Sequence, residues 1–331
     1  MRYGNLQVLR FLAAMAVLLG HLRSSVWSLD LDFVPSYLVI GPFEETGGIR
    51  FARMGVILFF SLSGFLMQKS LSSGRGVSNY AISRIFRIVP LYWISIMVVA
   101  ALGLAASDVE SGWVLSSLTF TSQIIYDSKP INSVGWTLEY EMYFYVLIAI
   151  GLSFGGNRRL RLLVPSALLF VSILLGLGMI AIYFVVGQFA FFVVNRIQRA
   201  PKEGLERRAW LLFGCGLAVL SIVPLDGLDP YVATNIPAFA SLNVFLLVLA
   251  VSFKQVNWSP ILLLGDASYS IYLWHMPVFA LLQTHLGLVH EFGQAGILLG
   301  ASMLVAIASW LYLEKPILRL GKWVEVGAGS K

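Results

Sequence analysis

Apolar residues in this chain occur in long, nearly uninterrupted runs rather than in the short stripes typical of a water-soluble domain. A helix that crosses the hydrocarbon core of a membrane needs about 20 mostly apolar residues. Runs of roughly that length predict ten transmembrane helices, at approximately 6–22, 51–68, 85–106, 136–153, 162–178, 179–195, 209–224, 236–253, 268–287 and 295–313. We expect Gly176 and Gly178 to separate the fifth helix from the sixth, because glycine readily leaves the helical conformation.

The predicted fold is therefore all-α, a polytopic membrane helix bundle that forms a single transmembrane domain over residues 1–331 without a fused soluble domain. The first apolar run differs from a signal peptide, since Arg10 lies inside it and no small-residue cleavage site follows directly. We expect it to be a retained first helix. The outer loops 23–50 and 107–135 are long enough to cap the bundle or to shape a substrate cleft.

The basic residues predict the orientation of the bundle. With a cytoplasmic N-terminus, 18 of the 23 lysines and arginines fall in inner segments and 4 in outer segments, Arg10 being the remaining one. Cytoplasmic loops carry such an excess of positive charge. The distribution predicts that both termini are cytoplasmic.

Composition supports a lipid environment. Hydrophobic residues make up 58% of the chain, and the mean hydropathy is +0.81. Charged residues make up 12%, about half the share usual in globular domains. The net charge of +6 is explained by the inner loops, so we predict no nucleic-acid partner. Cys215 is the single cysteine, which excludes a disulfide framework within the chain.

Ionisable residues inside membrane spans are costly and usually face an interior or a cavity. In the first helix, Arg10 and His21 are eleven residues apart, which places them on one face about 16 Å apart along the axis. The pair can line a passage through the bundle. Equally, Arg10 can extend to the inner surface and His21 can be an interfacial histidine.

Glu139 and Glu141 open the fourth predicted helix from its outer end. Residues two apart on a helix point about 200° away from each other, so the two acids cannot share a face. One can pair near the helix N-terminus, where carboxylates are favoured, while the other faces the interior. The alternative is that both only mark the start of the helix.

His275 is followed two residues later by Pro277 inside a predicted span, which predicts a kink and hydrogen bonding to freed backbone groups. A structural role for His275 competes with contact to a substrate. Ser61 and Ser63 precede Gly64 within the second span. Either serine can be a nucleophile, but small residues there also permit close helix packing.

Arg84 and Arg87 are predicted to open the third helix from the inside, on one face because of their spacing. Two guanidinium groups in that arrangement suit the phosphates of a ligand. They can equally bind lipid headgroups or enforce the topology.

These residues occur in motifs whose order along the chain resembles the acyltransferase-3 family, whose members O-acylate exported polysaccharides and other acceptors. The resemblance covers nearly the whole chain. The segments that carry it are the Arg10–His21 spacing with residues 9–14, residues 59–66, Arg84 to Arg87 with residues 90–93, Asn132 to Trp136 with Glu141, residues 264–265, 268–270 and 272–275, and Glu314 to Pro316.

The resemblance implies that His21 is the essential catalytic residue and that Arg84 and Arg87 face a cytoplasmic donor, usually acetyl-CoA. Ile57 occupies a position where many members carry an acid, so Glu141 becomes the preferred acidic partner of His21. No metal and no permanently bound cofactor are implied. The chain resembles the stand-alone exopolysaccharide and O-antigen acetyltransferases of the bacterial cytoplasmic (inner) membrane, which implies a polysaccharide or lipid-linked sugar as acceptor.

The resulting hypothesis is an acetyl-CoA-dependent O-acyltransferase in which His21 is the general base, oriented by Glu141. Arg84 and Arg87 would hold the donor phosphates, and Arg10 would lie along the donor path. Further candidates for substrate contact or structure are Ser63, Trp136, Tyr272 and His275.

Three alternatives remain open at this point. The acyl group can pass through a covalent intermediate on His21 or a serine. A secondary transporter or exporter of a glycan precursor or small acid also suits buried charge in a helix bundle. A non-catalytic scaffold is the third alternative.

Overall fold

The chain is described by a computed structural model over residues 3–26, 47–73, 76–104, 110–123, 127–198, 231, 233–286 and 292–329. These residues form helices and short connections, with no strand among them, which confirms the all-α prediction. Within them, seven helical segments are long and apolar enough to cross a membrane. The seven are Gly4–Leu22, Phe51–Ser72, Val77–Ala101, Arg159–Gly176, Met179–Gln198, Ala233–Ser252 and Gln294–Val326.

The α-helices follow the predicted order along the chain. Their bounds are α1 Gly4–Val26, α2 Gly47–Ser72, α3 Val77–Ala101, α4 Ser111–Leu118, α5 Trp136–Ser153, α6 Arg158–Ser172, α7 Ile182–Gln198, α8 Ile236–Ser252, α9 Ser259–Asp266, α10 Ser268–Leu286, α11 Phe292–Ser309 and α12 Lys315–Gly329. Short 3-10 turns precede α5, α7 and α8 at Ser133–Gly135, Met179–Ala181 and Ala233–Asn235.

Nine of the ten predicted spans coincide with helices in the described part of the chain. Two of them, α5 and α10, are not among the seven segments that meet the length and hydropathy requirement. The predicted span 209–224, together with Cys215, lies outside the described residues. The count of ten spans and the cytoplasmic location of both termini therefore stay predictions.

The predicted break between the fifth and sixth spans is confirmed. After α6 the helix continues as a wider turn, Ile173–Leu177, in which Gly176 has φ of +105°. Gly178 follows with φ of +100°. Residues with a Cβ rarely adopt this conformation, and two glycines close together let the chain leave one helix and begin the next.

Two predicted boundaries are wrong. Helix α3 begins at Val77, so Arg84 and Arg87 lie two to three turns inside the helix rather than opening it. The first turns contain polar residues, yet Tyr80 is buried there, and this packing stabilises a helix that the apolar pattern alone does not mark. The last span does not end at 313, because α11 continues through a π turn at Trp310–Glu314 into α12.

The chain folds into two compact units, each built from several separate segments of the sequence. The first comprises residues 1–13, 53–76 and 146–266. Its core is apolar and includes Leu6, Leu62, Phe65, Phe191 and Val248.

A glycine-mediated helix crossing lies within this first unit. A Cβ at Gly64 of α2 would overlap the carbonyl oxygen of Phe184, and one at Gly187 of α7 would overlap that of Ser61. Small residues let two membrane helices approach this closely. The segment around Ser61 and Ser63 is therefore part of a packing interface, as the second of the two sequence interpretations holds.

The second unit comprises residues 14–52, 77–145 and 267–331. In it α10 is tied to α3 by the hydroxyl of Tyr269, which donates to the carbonyl of Ile88 at 2.9 Å. Helix α12 packs on α3 where Gly321 meets the ring of Phe86. Most of the candidate site residues lie in this unit.

Candidate active site

Two histidines meet in the second unit. Nδ1 of His21 on α1 lies 2.9 Å from Nε2 of His275 on α10. The ring planes differ by 13° and the centroids are 5.1 Å apart. The centroid distance exceeds the 2.9 Å between the two nitrogens by about the width of one imidazole ring. The two nearly coplanar rings therefore meet edge to edge, as a hydrogen bond between them requires. His275 is fully buried and His21 is half-buried.

The backbone around His275 is held from outside its own helix. Pro277 has no N–H, so the carbonyl of Leu273 loses its usual helical partner. The side-chain amide of Asn132 donates to this carbonyl at 3.1 Å and to Ser95 Oγ at 3.0 Å. The sequence prediction that freed backbone near Pro277 finds a partner is thus confirmed, and the partner is Asn132.

The two acids of α5 point in different directions, as their spacing predicts. Glu139 is buried, and its carboxylate accepts the backbone N–H groups of Ser122 and Gln123, each at 3.1 Å. Glu141 is half-buried and accepts a hydrogen bond from the hydroxyl of Tyr145. Glu139 therefore anchors the segment after α4, while Glu141 belongs to a different cluster.

That cluster includes the first of the two arginines. The guanidinium of Arg84 lies over the ring of Tyr145, 5.6 Å from its centroid, and is attracted electrostatically by Glu141. Glu141 accepts a hydrogen bond from Tyr145, and His21 meets His275. The role of Glu141 as the partner of His21 stays a prediction.

The second arginine pairs with an acid that sequence reasoning missed. Arg87 Nη1 lies 2.8 Å from Oε1 of Glu314, whose side chain is buried. Oε2 of Glu314 accepts from the Ser270 hydroxyl at 2.6 Å. Ser309 completes the network, because its hydroxyl lies 3.2 Å from Ser270 Oγ and accepts from Trp274 Nε1 at 2.8 Å.

The π turn at Trp310–Glu314 explains how this network forms. Ser309 and Glu314 are five residues apart, which on a regular α-helix points them about 140° away from each other. The i→i+5 bonding of a π turn places residues five apart nearly one above the other. Both side chains can therefore reach Ser270 on α10.

The remaining predicted candidates have varied surroundings. Tyr272 is buried, and its hydroxyl donates to the carbonyl of Val134 at 2.7 Å and contacts Thr137 at 2.6 Å, which fixes the start of α5. Trp136 begins α5 and packs edge-on against Tyr140. Ser63 on α2 and Arg10 on α1 are half-buried and belong to the first unit.

Sequence signals for the missed residues were weak but present. Glu314 lies one residue beyond the predicted end of the last span, which excludes it from the intramembrane ionisable groups that the sequence predicts. Asn132 belongs to a motif of the sequence, but the motif does not indicate its role. In the described part of the chain, no cluster of His, Cys, Asp and Glu side chains could hold a metal ion.

Comparison with known proteins decides the family. Residues 3–313 match the model Acyl_transf_3, which is described as an acyltransferase domain. The chain belongs to the acyltransferase-3 family. Together with the apolar helices, this makes it an integral, multi-pass membrane protein.

Curated relatives of this acyltransferase fall into two groups. The exopolysaccharide production protein ExoZ of Rhizobium meliloti (strain 1021) is 32% identical over 86% of this chain and 96% of its own. The peptidoglycan O-acetyltransferase OatA of Listeria monocytogenes is 24% identical over 95% of this chain but 55% of its own. OatA of Staphylococcus aureus (strain NCTC 8325 / PS 47), an O-acetyltransferase, is 25% identical over 81% of this chain and 53% of its own.

The chain thus spans about half the length of these O-acetyltransferases and nearly all of ExoZ. No solved structure was found to match it.

Proposed function

We propose that this acyltransferase moves an acyl group, acetyl in the simplest case, from cytoplasmic acyl-CoA to a hydroxyl of an exported polysaccharide or its lipid-linked precursor in the bacterial cytoplasmic membrane. The observation that carries the proposal is the imidazole of His21, held against buried His275 in the same unit as Arg84 and Arg87. The names of the relatives support the acceptor class.

Acyl transfer to a hydroxyl needs a base that removes the hydroxyl proton. In the proposed reaction His21 takes that proton while the acceptor oxygen attacks the thioester carbonyl. The C–S bond then breaks, and the departing thiolate takes the proton from the imidazolium to give free CoA. The balance requires no further reactant.

The arginines support a site for the phosphates of the donor. Arg84 Nε and Arg87 Nη2 are buried and have no hydrogen-bond partner among the described residues. A buried donor without a partner costs about 1–3 kcal/mol, which a bound phosphate oxygen would recover. Each guanidinium is also positioned by an acid or aromatic ring from another helix, so little reordering is needed for binding.

The test replaces His21 with Ala and measures O-acetylation of surface polysaccharide by mass spectrometry. In parallel, purified protein in detergent receives acetyl-CoA and a polysaccharide fragment, and the released thiol is measured. His285 is exposed at the end of α10, so His285→Ala is the matched control.

We expect His21→Ala to abolish both signals at normal protein level, while His285→Ala retains them. Retained acetylation in folded His21→Ala would overturn the proposed function. Wild-type protein that leaves acetyl-CoA intact would also overturn the proposed function. That result would favour the transporter alternative, which the family match does not favour.

A further inference from the structure

The hydrogen bonds around His275 define which of its nitrogens carries a proton. Nδ1 of His275 lies 3.3 Å from the carbonyl oxygen of Ile271, one helical turn earlier. A carbonyl oxygen only accepts hydrogen bonds, so Nδ1 is the donor. In a neutral imidazole the other nitrogen, Nε2, then carries no proton and acts as an acceptor.

The tautomer of His21 follows from that of His275. Since Nε2 of His275 accepts, Nδ1 of His21, 2.9 Å away, is the donor of the hydrogen bond between the rings. The proton on Nδ1 leaves the lone pair of neutral His21 on Nε2. The chain of hydrogen bonds from Ile271 through His275 to His21 thus selects one of the two tautomers of His21.

His275 can impose this selection only if its own ring is fixed, and the structure fixes it at three successive residues of α10. The Tyr272 hydroxyl is bonded to the carbonyl of Val134, the Leu273 carbonyl to Asn132, and Trp274 Nε1 to Ser309. Asn132 is itself held by Ser95. Restraints from three sides prevent rotation of α10 about its axis at His275.

The positive charge that His21 acquires in the proposed reaction is also accommodated by His275. When His21 takes a proton on Nε2, its ring becomes positive while Nδ1–H still donates to His275. A neutral acceptor of this kind stabilises the imidazolium without placing a carboxylate in a fully buried position, where an unpaired charge is very costly. In hydrolase triads an acid orients the histidine, and here a second histidine occupies the orienting position.

We propose that His275 is the positioning residue for His21: it fixes the tautomer in which Nε2 of His21 takes the proton of the acceptor hydroxyl, and Asn132 holds the helix that carries His275. This inference rests on the proposed function for its catalytic consequence. Its structural content, the tautomer of His21, can be measured independently of activity.

The first experiment measures that tautomer directly. Protein labelled with ¹⁵N-histidine is examined by NMR in detergent, and the His21 resonances are identified by their loss in His21→Ala. We expect the wild type to show a proton on Nδ1 and none on Nε2. We expect His275→Leu to shift His21 to a mixture of tautomers. A wild-type His21 protonated on Nε2 would overturn the inference, whatever the enzyme assay shows.

The second experiment compares His275→Leu with His275→Gln. Gln carries an acceptor oxygen near the position of Nε2 of His275, whereas Leu has none. We expect His275→Leu to lower kcat by about 10², the lower end of the contribution of a positioned base, because His21 loses its fixed orientation and the acceptor that stabilises its imidazolium as well as its single tautomer. The KM for acetyl-CoA should be unchanged. His275→Gln should recover at least about tenfold of that loss.

A merely structural role for His275 predicts a different result. Both variants would then lose folded protein, or both would lose kcat equally. Equal kcat in folded His275→Leu and His275→Gln would contradict the inference, and so would wild-type kcat in His275→Leu. If neither variant folds, the NMR measurement on the wild type still decides the question. Failure of the wild type to consume acetyl-CoA would instead reject the proposed function.

Discussion

Two acids two residues apart on α5 show how differently the same side chain can be used. Glu139 is buried and accepts two backbone N–H groups of the segment after α4. Glu141 is half-buried and contacts Tyr145, beside Arg84. Their spacing predicts that the two side chains point in different directions. It does not predict which of them binds the backbone of the segment after α4. The two substitutions should therefore have different consequences.

We expect Glu139→Gln to destabilise the protein by about 1.5–3 kcal/mol, the range for hydrogen bonds to a charged group. The amide oxygen of Gln can accept one backbone N–H, but its NH₂ group would face the other, which also donates. The thermal unfolding midpoint in detergent measures the effect. Glu110 is exposed just before α4, so Glu110→Gln is the control. Equal midpoints for both variants would show that the two hydrogen bonds contribute nothing.

The pairing of His21 with His275 shows the limit of sequence reasoning about single residues. Each is an ionisable group inside a predicted span, and Pro277 predicts a carbonyl without its helical partner. The hydrogen-bond partners are far away in the sequence: His275 is 254 positions from His21, and Asn132 is 141 positions from Leu273. Periodicity within a helix says which residues share a face, but not which face meets which neighbour.

Among the helices, α3, α10 and the π turn after α11 are joined by polar side chains rather than by apolar packing alone. Arg87 contributes the cation, Glu314 the anion, and Ser270 a hydroxyl. Removing one member of a buried ion pair is far more costly than replacing both with apolar residues, since the remaining charge is left uncompensated. This asymmetry separates a stabilising role of the pair from a role in donor binding.

We expect Arg87→Met and Glu314→Leu each to lower the free energy of unfolding by about 3–5 kcal/mol, and the double variant to lose less than the sum. If Arg87 also binds the donor, the double variant should recover stability but keep a raised KM for acetyl-CoA. Unfolding in detergent and steady-state kinetics provide the two readouts. Arg319→Met, at an exposed position on α12, is the control. A double variant with wild-type KM would remove Arg87 from the donor site.

Helix boundaries were predictable where a local residue determines them and not where packing does. Gly176 and Gly178 end one helix because both have positive φ. The early start of α3 and the continuation of α11 past 313 depend on neighbours: Tyr80 is buried against the rest of its unit, and Glu314 is bonded to Arg87. The length of an apolar run in the sequence indicates neither the packing of Tyr80 nor the ion pair of Glu314.

For the molecule as a whole, orientation in the membrane is the property that the proposed chemistry most depends on. A cytoplasmic donor requires that the end of α3 that bears Arg84 and Arg87 faces the cytoplasm. The bias of basic residues predicts this arrangement together with an even number of spans.

We therefore expect both termini in the cytoplasm. A C-terminal fusion to a fluorescent protein that folds only in the cytoplasm should be bright, and a fusion to alkaline phosphatase, active only outside it, should be inactive. A fusion placed after residue 129 should give the opposite pair of results. An active phosphatase at the C-terminus would contradict the predicted orientation and, with it, the cytoplasmic donor.

The π turn at Trp310–Glu314 has one consequence for how this protein tolerates change. Such a turn contains one residue more than a regular helix would use. Deleting a single residue between 310 and 313 would let the backbone close into an ordinary α-helix without a break. Because five residues of the π turn cover about the same rotation as four residues of an α-helix, the residues beyond it would keep nearly the same orientation, and Gly321 would still face Phe86. A one-residue deletion in the π turn should thus preserve the packing face of the 15 residues that form α12, whereas the same deletion inside α12 before Gly321 would rotate the residues that follow by about 100°.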